Sequence, residues 1–445
     1  MPPRQTPGMQ TAMSSAIPAL LPRGPGHQFV VYGDACSGVP GAPHERSFAE
    51  INAVIRRLSP QPEFIIFTGD EIRGLTADPD ELRRQWRHWL DHEMAWLDGR
   101  AIPLWHVTSN HTAYDPPSEA IFREMLDLPR NGPPGQEGLS YWVRRDDLLL
   151  VSVHTLWSGL GGEGHVETTW LDAVLHQHAD ARTKLVVGHH PVFSVNGFSG
   201  AYARDIGPEH ADAFWNVLVS HNVLAYLCSH ILAFDVQVHR GVLQLCTAGA
   251  GTIHRMPEQF EYLHCTQLAI DSAGLRCQVL DTTGTVREAF QWPPVRGTGL
   301  SIRITGRTRA DAGPAQTLAS AFDPGILSPL WIGLCGPHQV LCLVMGPEPG
   351  RSPHTWHGPA ISPDRPFELR LLLDPTMGPG GMLYQLNDDT TWSSLRSASP
   401  WGIERLRLPS QWSVGHGQYG TDDRPFLGRD LAVTAFQGDQ IVART

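Results

Sequence analysis

Phe64-Ile65-Ile66-Phe67-Thr68-Gly69-Asp70 is the stretch from which the rest of the chain is read. Its uninterrupted run of aromatic and β-branched residues describes a short strand buried on both faces. Gly69 lets the backbone turn sharply and lets other groups come close. Asp70 is thereby delivered to the rim of the sheet. Four other apolar strands end in the same way, on Asp34, Asn110, His189 and His230. One strand that ends in Gly-Asp says little; five such endings belong together.

The chain has 445 residues, enough for two or three domains, and its hydrophobic content of 41% suffices for large cores. A formal net charge of −11 argues against a general nucleic-acid binder or a protein held on anionic membranes. No apolar run is long enough to span a bilayer. The seven cysteines are odd in number and scattered, so reduced thiols and a cytoplasmic location are expected, with export left open. Residues 1–26 are rich in Pro, Gly, Ser and Ala and read as a loosely attached tail, and the Pro-broken stretch 16–21 is too short for a signal peptide.

Over 27–291, helical and strand patterns alternate. Strands are predicted at 27–33, 64–69, 102–107, 139–143, 148–153, 184–188 and 223–228. Helices are predicted at 47–58, 78–97, 119–128, 168–178 and 209–220. A hairpin at 234–238 and 242–246 follows, then strands at 262–270, 275–280 and 285–291. Composition changes at Trp292-Pro293-Pro294-Val295-Arg296-Gly297, which reads as a linker. From 298 to 445, short alternating strands at 300–304, 340–344, 367–373, 382–386, 411–415 and 430–436 are punctuated by Gly and Pro. This is the pattern of an antiparallel β-sandwich.

Asp, Asn and His supply oxygen and nitrogen donors suited to zinc, iron or manganese. A bridging carboxylate such as Asp70 can hold two ions at the spacing in which both clamp a phosphate. His111, beside Asn110, is placed to give a proton to a leaving oxygen. For any one of these residues, an ordinary hydrogen-bonded side chain at a strand end is the simpler account. Five of them in register with strand ends point to a cation site.

Val31-Tyr32-Gly33-Asp34, Thr68-Gly69-Asp70, Ser109-Asn110-His111, Val187-Gly188-His189-His190-Pro191 and Tyr226-Leu227-Cys228-Ser229-His230, followed by Ala248-Gly249-Ala250-Gly251, form an ordered set. In order and interval the set resembles the calcineurin-like metallophosphoesterases, and within them the purple acid phosphatases, over about residues 27–290. The resemblance implies an α+β fold: a four-layer α/β/β/α sandwich with metal ions at the strand ends, followed by an all-β jelly roll. It implies hydrolysis of a small-molecule phosphomonoester or phosphodiester through a metal-activated water, with iron, zinc or manganese as cofactor. One metal position is implied complete, with Asp70 bridging and Asn110, His189 and His230 beside it. The second is implied in part. It keeps Asp34 but has Cys36 where many relatives have His, and Leu232 where the family has a second His. Arg73 stands where purple acid phosphatases have a ligand Tyr.

A Cys36 thiolate would restore a donor to this second position; a small buried filler is the other reading. Arg73 is either a fixed cation facing the substrate anion or a solvated loop residue. Together His111 and Arg73 are the catalytic candidates. Thr112 stands where an acidic residue normally supports the proton-donating His, with Asp115 as the substitute. His190 is expected to turn away from its ligand neighbour, because side chains alternate along a strand, and to reach the surface; contact with the ligands or the substrate is the other reading.

The stretches Phe367-Glu368-Leu369-Arg370-Leu371-Leu372-Leu373-Asp374, Trp412-Ser413-Val414-Gly415 and Arg424-Pro425-Phe426-Leu427-Gly428 resemble laminin-G or concanavalin-like jelly rolls over about 298–438. Such a domain implies either a glycan partner, with Trp331, Trp356, Trp392 or Trp401 stacked on a sugar, or simple packing beside an enzyme. The leading expectation is a metal-dependent phosphoesterase with a degenerate second metal site. Two alternatives stand beside it: a mononuclear metalloenzyme of other chemistry, as in a biosynthetic pathway, and a non-catalytic glycan-binding protein.

Overall fold

The computed structural model describes residues 15–160, 164–197, 206–252, 262–295, 297, 299–322, 330–336, 338–344, 354–398, 411–416 and 424–444. Strand Ile65–Phe67 lies one strand in from an edge of its sheet. It pairs in parallel with His27–Tyr32 on one side and Leu104–His106 on the other. The full sheet runs Val286–Trp292, Gly274–Asp281, His264–Asp271, His27–Tyr32, Ile65–Phe67, Leu104–His106.

The apolar run has no polar break because both faces of this strand are covered. Phe64 and Ile66 join Phe29 and Val31 in one core, while Ile65 and Phe67 join Val30 and Tyr32 in another. The first of these cores is completed by a second six-stranded sheet, ordered Phe234–His239, Val242–Thr247, Ala225–Cys228, Thr183–Val187, Leu148–Ser152, Tyr141–Arg145. Leu150, Leu185, Val187 and Leu227 of that sheet share a cluster with Phe29, Val31 and Ile66. The opposite face of the second sheet, with Leu149, Val151, Val186 and Tyr226, packs with Leu171 and Leu175 of helix Thr168–Gln177 and Phe214 and Leu218 of helix Pro208–Ser220. The outer face of the first sheet is covered by Phe48 and Ile51 of helix Pro43–Arg56, Leu82 and Trp86 of helix Pro79–His88, and Ile121 and Phe122 of helix Pro116–Met125.

The helix expected over 78–97 is shorter. Asp78 caps it, and α-helix ends at His88, where the chain widens into a π turn over Trp89–Glu93. Trp86 and Trp89 are both fully buried, and the wide turn swings the Glu93 side chain inward, leaving 4% of it exposed. There its carboxylate accepts from Ser37 Oγ at 2.6 Å and from the Gly38 amide at 3.1 Å, which fixes the loop after the first strand.

The second half of the chain is built differently. Its two six-stranded sheets are ordered Ser393–Ser394, Met382–Leu386, Pro366–Leu373, Leu300–Arg307, Arg429–Gln437, Gln440–Arg444 and Arg396–Ser397, His354–Ala360, Gln339–Val344, Leu330–Cys335, Ala315–Phe322, Gln411–Val414. Every neighbouring pair is antiparallel. Ile302, Ile304, Leu369, Leu371 and Val433 from one sheet share a core with Ile332, Val340, Cys342 and Trp356 from the other.

The two halves are joined by more than the chain that links them. Met377 and Leu383 belong to the same buried cluster as Val236, Phe290 and Trp292 of the first half. The Gly241 amide donates to the Trp392 carbonyl at 2.9 Å, and the Ser397 amide to Asn196 Oδ1 at 3.0 Å. Asn196 in turn donates to the buried carboxylate of Asp235 at 3.0 Å. No helix among the described residues is long and apolar enough to cross a membrane.

Candidate metal centre

Parallel pairing puts the carboxyl ends of consecutive strands on one rim. Strands 27–32, 65–67 and 104–106 run together in one sheet, as do 148–152, 183–187, 225–228 and 242–247 in the other. Asp34, Asp70, Asn110, His189 and His230, far apart in sequence, therefore meet in space. The backbone closes the rim further: the Asp34 amide donates to the Gly69 carbonyl at 2.9 Å, and the Cys36 amide to the Asp70 carbonyl at 2.7 Å. Asp34, Cys36, Asp70 and His230 all hold positive φ values, of 65°, 46°, 59° and 68°. That backbone region costs a non-glycine residue of order 1–3 kcal/mol and is concentrated at functional sites. Gly69, at φ 102°, is required by contact as well as conformation. A Cβ there would lie 2.7 Å from both His189 Nδ1 and Ser109 Cβ.

The donor atoms converge closely. His189 Nε2 lies 2.9 Å from Asn110 Oδ1, 3.1 Å from His230 Nδ1 and 3.5 Å from Asp70 Oδ1. His230 Nδ1 lies 3.1 Å from Asn110 Oδ1, and the His230 amide donates to Asp34 Oδ2 at 3.1 Å. Bonds of ~2.0–2.1 Å to a tetrahedral zinc set ligand atoms about 3.3 Å apart, which is this spacing.

Proton bookkeeping gives an independent test. His189 Nδ1 is 2.9 Å from the Thr68 carbonyl, which can only accept, so Nδ1 carries the ring proton. Burial lowers the imidazole to about 4, so the ring is neutral near pH 7 and holds that one proton. Nε2 therefore turns a lone pair on the lone pairs of Asn110 Oδ1, an arrangement that a cation between them makes favourable. Burial, and then the charge of Asp70, push Asp34 well above the usual carboxylate range. Burial acts on Asp70 in the same direction, but the attraction of the neighbouring His111 and His189 rings and the hydrogen bond from Ser109 outweigh it and hold Asp70 below its ordinary value. Burial, with Asp70 and Asp34, raises the Cys36 thiol. The residues present fit a bound transition cation.

Beside the donors opens a cavity of about 740 Å³, a size usual for small-molecule sites. Arg73, Leu75, Glu81, His44, Ile231 and Leu232 line it with Asp70 and His111. Leu232 forms wall and offers no donor. The exposed Arg73 side chain faces this space, while its carbonyl accepts from His111 Nδ1 at 2.6 Å.

Several expectations are corrected. His190 does not reach the surface. It is fully buried, its Nδ1 2.8 Å from Thr155 Oγ1 and its ring 4.4 Å from that of His230. The strand ends at Val187, so strict alternation no longer governs the two histidines beyond it. Asp115 does not support His111. It caps helix Pro116–Met125 by accepting from the Ser118 amide at 2.8 Å, and the Arg73 carbonyl holds the imidazole instead. Trp356 lies in the core of the second half, with Nε1 donating to the Pro379 carbonyl at 2.8 Å. Trp331 is part-buried, with Nε1 3.1 Å from Thr317 Oγ1; Trp392 packs against the core of the first half, and Trp401 lies outside the described residues. Sequence reasoning missed Ser109, whose Oγ accepts from the Asp70 amide at 2.8 Å, and the Arg73 carbonyl. A serine two residues before a strand-end His carries no distinguishing signal, and a carbonyl carries none at all.

No known family model matches the chain, and no curated protein matches it. Solved structures do match. The purple acid phosphatase PPD1 from yellow lupin (Lupinus luteus) seeds is 12% identical with a TM-score of 0.44, over 59% of this chain and 53% of that one. GAP50 of Plasmodium, the anchor in the inner membrane complex, is 13% identical with a TM-score of 0.41, over 60% and 88%. A putative 5'-nucleotidase from Staphylococcus aureus is 13% identical with a TM-score of 0.36, over 57% and 54%. The chain thus spans about half the length of the phosphatase and of the nucleotidase. At such identities the chemistry of the site is read from its own atoms.

Proposed function

We propose that the chain is a metal-dependent phosphoesterase that hydrolyses a small-molecule phosphate ester in the cavity beside Asp70. On this reading the first half is a four-layer metallophosphoesterase sandwich and the second a laminin-G or concanavalin-like jelly roll. The observation that carries it is the convergence of Asp70, Asn110, His189 and His230 at one rim, with acceptor atoms turned on one another beside a 740 Å³ cavity. A bound iron, zinc or manganese ion supplies Lewis acidity toward a phosphoryl oxygen and lowers the pKa of water.

The chain's own residues do the rest. Asp70, Asn110, His189 and His230 hold the ion, with Asp34 adjoining them. Arg73 pairs with a non-bridging phosphoryl oxygen of the substrate. The Arg73 carbonyl fixes the His111 ring, so that Nε2 faces the cavity and Asp70. The organic part of the ester lies against Leu75, Ile231 and Leu232. A second reading, a mononuclear metalloenzyme of other chemistry, is favoured by Leu232, which leaves one family ligand position without a donor.

The test is turnover of the iron-, zinc- or manganese-loaded chain on a panel of phosphomonoesters and phosphodiesters. Turnover that His189→Ala abolishes supports the phosphoesterase; metal-loaded protein inert on the whole panel overturns it and leaves the mononuclear alternative.

A further inference from the structure

The segment Arg73-Gly74-Leu75-Thr76 lines the cavity and is pinned along its backbone. The Arg73 amide donates to the Ser37 carbonyl at 2.8 Å, and the Arg73 carbonyl accepts from His111 Nδ1 at 2.6 Å. The Gly74 amide donates to Gln85 Oε1 at 2.8 Å, and the Thr76 carbonyl accepts from the Tyr114 hydroxyl at 2.5 Å. Gly74 is required by contact, since a Cβ there would run into the His111 carbonyl oxygen. Leu75 follows at a φ of 52°, a backbone region that leucine rarely adopts, and it is 60% exposed. The anchors on both sides thus hold a large apolar side chain in the open, in a conformation that costs the chain stability. Strain of this kind collects at ligand clamps.

We propose that Leu75, with Leu232 and Pro43, forms an apolar cradle that selects phosphate esters of apolar alcohols, alkyl or aryl, over those of sugars and nucleosides. This rests on reading the rim as the centre of a metal-dependent phosphoesterase, and it makes Leu75 a specificity-determining residue of that site.

The polar side chains that share the cavity with Leu75 are already engaged. Glu81 Oε2 accepts from Arg84 Nε at 3.0 Å and Nη2 at 2.7 Å, and Glu81 Oε1 accepts from Gln85 Nε2 at 3.0 Å. Gln85 Oε1 is taken by the Gly74 amide. Thr76 Oγ1 accepts from the Asp78 amide at 3.2 Å, and His44 Nδ1 lies 3.2 Å from the Cys36 carbonyl. Among the described residues the exposed Arg73 guanidinium has no acidic partner, so a cation is left for the phosphoryl end of a substrate.

A sugar ring placed in this space gives up hydrogen bonds to water at several hydroxyls and meets partners that are committed elsewhere, a loss at each hydroxyl. An alkyl or aryl group gives up none, and it removes its own surface and that of Leu75 from water. Leu232, two residues past the donor His230 and 8% exposed, carries apolar wall up to the donors. The cavity of about 740 Å³ has room for such a group together with its phosphate.

The test compares kcat/KM of the metal-loaded full chain on phenyl phosphate and hexyl phosphate with that on a glucose phosphate and adenosine monophosphate. The apolar pair should lead by at least about 10-fold, and Leu75→Asn should reduce the lead about 10-fold, the order of one methylene in an apolar pocket. Asparagine tolerates the left-handed backbone, so this variant removes apolar surface and keeps the loop. Leu427→Asn, at an exposed leucine outside the cavity, should leave the lead as it is. A smaller lead in the wild type, or one that Leu75→Asn does not reduce, overturns the cradle and leaves the phosphoesterase standing.

Binding decides the matter where no ester turns over. Calorimetric titration of the metal-loaded chain with methyl-, butyl- and octylphosphonate, which carry no ester bond, should show affinity rising about fourfold for each methylene buried. A flat series overturns the cradle. Inert esters with a rising series would sink the proposed reaction and leave the cradle in place.

Discussion

The two halves of this chain solve the same packing problem with opposite strand directions. Each seals an apolar core between six-stranded sheets. In the first half, neighbouring strands around Ile65–Phe67 and Thr183–Val187 run parallel, so strand ends distant in sequence arrive at one rim. In the second half all pairs are antiparallel, and successive strand ends are dealt alternately to the two rims. Polar groups there pair locally, as Arg303 does with Glu368 across two neighbouring strands. Strand direction therefore decides which half can gather five donors, and core size does not.

The contrast can be broken most strongly by one substitution in each half. Trp356→Ala, in the core of the second half, should cost about 3–5 kcal/mol by urea unfolding while each folded molecule keeps its cation affinity. His189→Ala should lower phosphate-ester turnover about 1,000-fold, the several kcal/mol a Lewis acid supplies, while the core of the second half stays intact. Two glycines sharpen the comparison. Gly69→Ala meets the His189 ring and a forbidden φ together, and should cost about 3 kcal/mol and displace the ring, read by metal affinity and melting. Gly336→Ala, also at positive φ but with nothing within 4 Å of its new Cβ, should cost about 1 kcal/mol and leave metal binding alone.

The seam between the halves should respond to pH. Burial raises Asp235 from 3.8 to about 6, against hydrogen bonds from Gln237 and Asn196 that act the other way. A carboxyl whose folded pKa lies above its unfolded one contributes stability below the unfolded value and loses it as the pH climbs through the folded one. Between about pH 4 and 6 the folded chain should thus lose about 2 kcal/mol relative to Asp235→Asn, measured by urea midpoints of both proteins across that window. The rim itself gives a further reading. A cation at 100 times its Kd stabilises by about 2.7 kcal/mol, so a chelator should lower the wild-type melting temperature and leave His189→Ala almost unmoved.

Much of this was legible in the chain itself. The runs ending at Asp34, Asp70, Asn110, His189 and His230 could be read because apolar strand, Gly or Ser, and donor follow one another directly. The rest depended on atoms that sequence does not display. The Arg73 carbonyl that holds the His111 ring and the approach of Cys36 Sγ to within 3.7 Å of Asp70 Oδ2 are set by the fold and leave no mark in the residues. Strand Ala315–Phe322 was missed because AQTLASAF alternates small and polar side chains without the bulky β-branched residues that mark a strand. Leu330–Cys335 and His354–Ala360 went unread for a similar reason, since Gly333, Gly358 and Pro359 interrupt them. His190 was misplaced because alternation was carried past the last residue of the strand.

Met377 and Leu383 have a bearing on how such a chain could be cut or shuffled. They plug the core of the first half from outside its own sequence, beside Val236 and Trp292. A gene fragment ending before residue 299 would encode the whole rim of donors yet leave an oily socket open to water. Such a fragment should self-associate when expressed alone, an outcome that light scattering of the truncated chain would show.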